Sequence, residues 1–213
     1  MRTSVELKND LLESLAQVVD HPLRQAGFIR KTGSFIYFRT LNDAEQWITF
    51  VMDSHPKCQP GAEAHIHPML QLAIPKVCET ALALVKGDKF LLANAPDIIV
   101  NQPIDCTAPK DRQVRWFATG HGQFVSTCEA IKTFIFEWVL PFLSEVTTPA
   151  DLVKIYENRD MRMMQQQHWH IRIAAAYKAM GQIGKAREVV QQHFGSPGLR
   201  KRYAPLFVSL DIK

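Results

Sequence analysis

The densest group of metal-ligating side chains in the chain is His55-x2-Cys58-x6-His65-x-His67. Successive side chains on a β-strand alternate between faces, so His65 and His67, two apart, project from the same side. Zinc takes imidazole nitrogen and thiolate sulfur in a tetrahedron. These residue types suit it, with His55 and Cys58 supplied by the loop before the strand. The spacing matches no zinc finger or ribbon, however, and Pro56 and Pro60 read equally well as ordinary turn residues. The expectation is exposed histidines on a half-open sheet face, with no metal and no cofactor. An enzyme or metal-binding protein using His55, Cys58, His65 and His67 is the alternative.

A nucleophilic pair is conceivable from Cys58 or Cys128 with His121. A catalytic thiol needs a lowered pKa, a nearby base and a group that orients the base. Nothing in the sequence brings these residues together. Asp97, Asp105 and Asp111 stand singly in loops, so paired carboxylates are absent too. There is no GxGxxG, Walker loop, GxSxG or HExxH. No catalytic residue is assigned, and a non-enzyme is expected. Met161, Met163, Met164 and Trp169 could form a soft binding surface, but at helical spacing they are expected in the core.

Composition narrows the class. Of 213 residues, 46% are apolar and 22% charged, which excludes a disordered chain, a collagen and a coiled coil. The chain is long enough to bury a core of its own. No apolar run reaches the roughly 18 residues of a membrane span. The first turns carry acids and no small-residue cleavage site follows, so no export signal is expected. Four widely spaced cysteines without a CxxC then read as free thiols in a reducing cytoplasm.

The net charge of +4 is modest, but it is unevenly placed. Residues 1–160 hold 16 basic and 19 acidic side chains, whereas residues 161–213 hold 9 and 2. The run Arg200, Lys201, Arg202 and Tyr203 is the candidate surface for an acidic protein partner. Without an RNP-type aromatic motif, a zinc finger or a helix-turn-helix signature, nucleic acid is not the expected partner.

The elements that must position these groups follow from periodicity. Thr3 with Glu6 fits a capping box, and Leu11, Leu12, Leu15, Val18, Val19 and Leu23 repeat at helical spacing. Pro22 should break this helix, and Gly27 should stop it. FIRKTGSFIYFRTL reads as a hairpin turning at Lys31–Ser34. A second turn at Leu41–Ala44 leads into EQWITFVMDSH, and AHIHPMLQLAI is the next strand. Pro68 implies that this strand lies at an edge or a bulge. PKVCETALALV suggests a short helix, the proline-rich stretch 94–112 a loop, and QVRWFATG a further strand. Beyond residue 125 the pattern is helical. Ser126 with Glu129 reads as a second capping box, and Ile131, Phe134, Ile135, Trp138 and Phe142 form a stripe interrupted by Pro141. Thr148-Pro149-Ala150-Asp151 is a helix start. Two helices flank Gly181, and Gly195, Pro197 and Gly198 end the helical region. The fold class is α+β: an antiparallel sheet of about four or five strands, an N-terminal helix and a C-terminal helical layer. Residues 1–160 form the α+β domain. Residues 161–213 form a helical hairpin plus basic tail packed on that domain.

Two stretches resemble known families. HPLRQAGFIRKTGSFIYFR followed by QWITFVMDS, then VRWF, then CEAIKTFIFEWVLPFLSEVTTPADLVKIYEN, resembles the bacterial domain-of-unknown-function 4304 family over roughly residues 10–160. His65-Ile66-His67 departs from its pattern, where an Asn- or Thr-like strand is expected. The motifs are apolar and carry no catalytic residue over. Trp169, Ala175, Tyr177, Gly181 and Ala186 resemble a single tetratricopeptide hairpin. One such unit cannot bury its own face, so two helices completing the core is the expected reading. Small α+β families without catalytic motifs imply a non-enzymatic protein-binding module. The narrower expectation is an immunity or antitoxin-type protein that occludes a cognate bacterial toxin.

Overall fold

In the computed structural model, which describes residues 2–120, 122–164, 166 and 168–212, a reciprocal cap starts the chain's first helix. The Thr3 hydroxyl accepts from the Glu6 N–H, and the Glu6 carboxylate accepts from the Thr3 N–H at 2.7 Å. The helix α1 (Ser4–Val18) breaks before α2 (Asp20–Gln25) because Pro22 has no N–H for the Val18 carbonyl. Leu7, Leu11, Leu15, Val19 and Leu23 nevertheless remain one fully buried stripe across the break. Gly27, at φ +86°, takes the left-handed conformation that ends it.

Among the described residues six strands follow: β1 (Ile29–Arg30), β2 (Ile36–Leu41), β3 (Ala44–Ser54), β4 (Ala64–Ala73), β5 (Val100–Pro103) and β6 (Trp116–Ala118). The order is β1-β2-β3-β4-β5, with β6 also pairing β4. The Ser34 N–H closes the first turn on the Lys31 carbonyl at 3.0 Å, and Phe38 pairs antiparallel with Ile29. The α+β class is thus observed, with one strand, β5, inside the proline-rich stretch read as loop. Its four residues are too few and too polar to show a period in sequence. Of the edge or bulge expected at Pro68, the edge is not what is observed, since β4 has neighbours on both sides. Pro68 falls where β4 changes neighbour, from β6 at Ala64–Ile66 to the segment whose Ile99 N–H reaches the Leu72 carbonyl. A break in the ladder costs least there.

Alternation along β3 and β4 sorts the sheet into two faces. Gln46, Ile48, Phe50, Ile66, Leu70 and Leu72 are buried, whereas Trp47, Val51, Asp53, His65, His67 and Met69 are partly or fully exposed.

The helix α4 (Gln123–Phe134) opens into a π-turn at Ile135–Val139 before α5 (Leu140–Glu145). Pro141 cannot bond the Glu137 carbonyl, and the turn widens to absorb the loss. Ser126 and Glu129 are not a cap, contrary to the sequence reading. The helix starts three residues earlier, where the Gln123 side chain accepts from the Thr119 N–H at 2.9 Å. Ser126 Oγ merely donates to the Gln123 carbonyl within the helix. Thr148 and Asp151 do cap α6 (Pro149–Glu157) reciprocally. The hairpin of α7 (Trp169–Ala179) and α8 (Ile183–Phe194) turns at Gly181, φ +77°. The chain does not stop being helical at Pro197. That residue opens α9 (Pro197–Arg202), as its missing N–H permits at a first helical position, and α10 (Ala204–Ser209) follows.

The chain forms two compact units. One comprises Met1–Arg39, Gln46–Gln71 and Gln102–Ser144, and within it α4 packs on α1 and β6. The other comprises Thr40–Glu45, Leu72–Asn101 and Glu145–Lys213. There α7 is enclosed by α3 (Pro75–Leu84), α6 and α8, and every residue from Ile171 to Tyr177 is buried. No helix among the described residues is long and apolar enough to cross a membrane.

Candidate functional site

The exposed sheet face carries the chain's main chemical cluster. The His55 N–H donates to the Glu63 carbonyl at 2.7 Å and closes the β3–β4 hairpin. That register sets Asp53 beside His65 and His67. Asp53 Oδ2 lies 3.8 Å from His65 Nδ1 and 3.7 Å from His67 Nδ1. The ligating atoms of all three residues fall within 4.8 Å of one another. The His65 ring stacks on Phe117, centroids 4.7 Å apart, and this contact restricts its orientation. These groups line a cleft of about 320 Å³ together with Asp105, Arg115 and Trp116.

Electrostatics set the state of the cluster. Burial pushes the His65 imidazolium pKa down, and the neighbouring His67 and Arg115 add to this against the pull of Asp53. His65 is therefore neutral at pH 7, with a lone pair to offer. His67 Nδ1 is buried and lacks a hydrogen-bond partner. Buried polar atoms in folded proteins are nearly always paired, so this nitrogen calls for an explanation.

The sequence-selected residues divide sharply. His65 and His67 share the cluster, but His55 and Cys58 do not join it. His55 Nε2 bonds the Arg2 carbonyl at 2.8 Å, and Cys58 is exposed in the connecting loop. His121 lies outside the described residues. Its suggested partner Cys128 is fully buried, and burial followed by Glu129 pushes its thiol up to about 12, the opposite of an activated nucleophile. Asp105 lines the cleft, whereas Asp97 and Asp111 are exposed. Of the methionine group, Met163 and Trp169 are core, but Met161 is 82% and Met164 50% exposed, correcting the expectation for those two. They stand in the irregular segment before α7, where helical spacing confers no common face.

Asp53 and Arg115 were not selected from the sequence. Their signal was the same period-two alternation that pairs His65 with His67. It becomes specific only once the hairpin register is known.

The basic run forms the last turns of α9. Arg200, Lys201 and Arg202 are exposed, but Tyr203 is 4% exposed and packs on Phe194. The Arg200 guanidinium lies over the Phe207 ring at 4.5 Å, and Arg202 lies over Phe90 at 5.8 Å. Exposed Phe90 and Val208 border these cations. Among the described residues, no carboxylate forms an ion pair with Arg200, Lys201 or Arg202.

No protein-family model, no curated protein and no solved structure matches the chain.

Proposed function

We propose that the chain is a non-enzymatic protein-binding module that takes an acidic partner on the exposed face of α9. The observation that carries this reading is the row Arg200, Lys201 and Arg202, which pairs with no carboxylate among the described residues and is bordered by exposed Phe90 and Val208. Guanidiniums held over aromatic rings lose less side-chain freedom on binding, and arginines and aromatics are the side chains that dominate interface energetics. More narrowly, the partner is a bacterial toxin that the chain neutralises by occlusion, as an immunity protein does. This finer reading rests on the association of small α+β families without catalytic motifs with such roles.

The test uses a toxin encoded beside this gene and the full chain with Arg200, Lys201 and Arg202 changed to serine. Exposed rim charges act mainly on the association rate. The triple variant should associate at least about tenfold more slowly at low salt, and its rate should respond less to added salt. An unchanged association rate at low salt would remove α9 as the docking face.

A further inference from the structure

We propose that Asp53, His65 and His67 form a binding site for one divalent first-row transition metal ion, with a coordination position left open toward the cleft. This departs from the expectation of no metal, which weighed His55 and Cys58 as the remaining ligands. The structure replaces them with a carboxylate from the adjacent strand.

Three observations carry the proposal. First, the donor set is two imidazoles and one carboxylate, the chemistry that zinc and its neighbours in the first transition row accept. Second, the spacing is close to that of a loaded site. Metal–ligand bonds of about 2.0–2.1 Å place tetrahedral ligands roughly 3.3 Å apart. The two Asp53–histidine separations, 3.7 and 3.8 Å, exceed this by a few tenths of an ångström, and all three ligating atoms lie within 4.8 Å, so the site contracts on loading. Asp53 is exposed, and contraction requires side-chain rotation of the histidines as well, both of which stand on β4. Third, His67 Nδ1 is buried without a hydrogen-bond partner and faces Asp53. A metal ion between them satisfies that nitrogen and neutralises the carboxylate at once.

Three protein ligands are one fewer than a closed tetrahedral site uses. The fourth position opens into the cleft lined by Arg115 and Trp116. The Arg115 cation favours an anionic or hydroxide occupant there. A site of this form is exchangeable rather than a structural staple.

The experiment is zinc titration of the full chain after chelator treatment, followed calorimetrically and repeated with cobalt for its visible absorption. One equivalent should bind, with cobalt giving a ligand-field spectrum of low coordination number. Asp53→Ala and His67→Ala should each weaken binding by more than the ten- to hundredfold that loss of an outer-shell group costs. His55→Ala and Cys58→Ser should leave it unchanged. Zinc should also raise the thermal midpoint of the parent chain and not that of Asp53→Ala, whose exposed side chain can be removed without loss of folding. Zinc uptake no greater than that of an Asp53→Ala, His67→Ala double variant would overturn the proposal. So would binding lost on Cys58→Ser.

Discussion

Arg172 is fully buried, and its guanidinium meets backbone carbonyls rather than a carboxylate. Nη1 donates to the Pro96 carbonyl at 2.7 Å and Nη2 to the Ala95 carbonyl at 2.6 Å. These bonds pin the end of a segment in which Ala93 and Asn94 both adopt positive φ, +55° and +58°. Burial lowers the arginine's pKa, so the charge is held at a desolvation cost. Arg172→Met keeps the stem's length and apolar contacts while deleting both donors. Each carbonyl stranded in the interior costs about 1–3 kcal/mol. The Ala95 bond is only partly buried, so water recovers some of its share, and loss of the desolvated charge offsets more. The expected net loss is about 2–4 kcal/mol, a large part of a typical 5–15 kcal/mol stability. Urea unfolding at neutral pH measures it, with an unchanged slope required for a clean comparison. Arg172→Lys should lie between, because an ammonium lacks the planar fork that serves two carbonyls. If Arg172→Met were neutral or stabilising, the desolvation cost would match the two hydrogen bonds, and Arg172 would not be what holds this segment.

The Asp20 carboxylate accepts a bidentate pair from Arg30, at 2.7 and 2.6 Å, and a hydrogen bond from the buried Tyr37 hydroxyl at 2.7 Å. Burial alone would raise its pKa, but these donors and the arginine charges outweigh burial and hold it below the usual value. A folded-state pKa lowered in this way contributes stability above the unfolded pKa of about 3.9 and loses it as pH falls below that. Asp20→Asn should cost about 1.5–3 kcal/mol at neutral pH, and the gap from the parent should narrow in unfolding experiments below about pH 4; a gap independent of pH would contradict the assignment. Among the thiols, exposed Cys58 should alkylate first at about pH 8, while buried Cys78 and Cys128, both with raised pKa, should react only after unfolding. Mass spectrometry of partly labelled protein checks the order, and rapid labelling of Cys128 in the native state would refute it.

Local signals were legible wherever a side chain answers its own neighbours. Thr3 with Glu6, and Thr148 with Asp151, are caps whose donors and acceptors lie three residues apart, so the sequence contains the whole interaction. The turns at Lys31–Ser34 and at Gly181 are equally local. Ser126 with Glu129 carried the same pattern and failed, because a cap is decided by which residue first leaves the helix. Here the N-cap is Gly122, four residues before Ser126, and the Gln123 side chain accepts from Thr119 just outside the helix. Met161 and Met164 failed similarly: helical spacing has meaning only inside a helix.

What the sequence determined by itself was therefore the class of fold, the alternation that puts His65 and His67 on one face, and the accumulation of cations at residues 200–202. Tertiary structure decided the rest, because each remaining feature depends on groups far apart in the chain. The β3–β4 register chose Asp53 over His55 as the histidines' neighbour, and β6 brought in Phe117 and Arg115 across more than 45 residues. Packing on Phe194 turned Tyr203 inward while leaving Arg200, Lys201 and Arg202 in water. A period assigns a side chain to a face, but only strand pairing determines what stands beside it, and a site is made of what stands side by side.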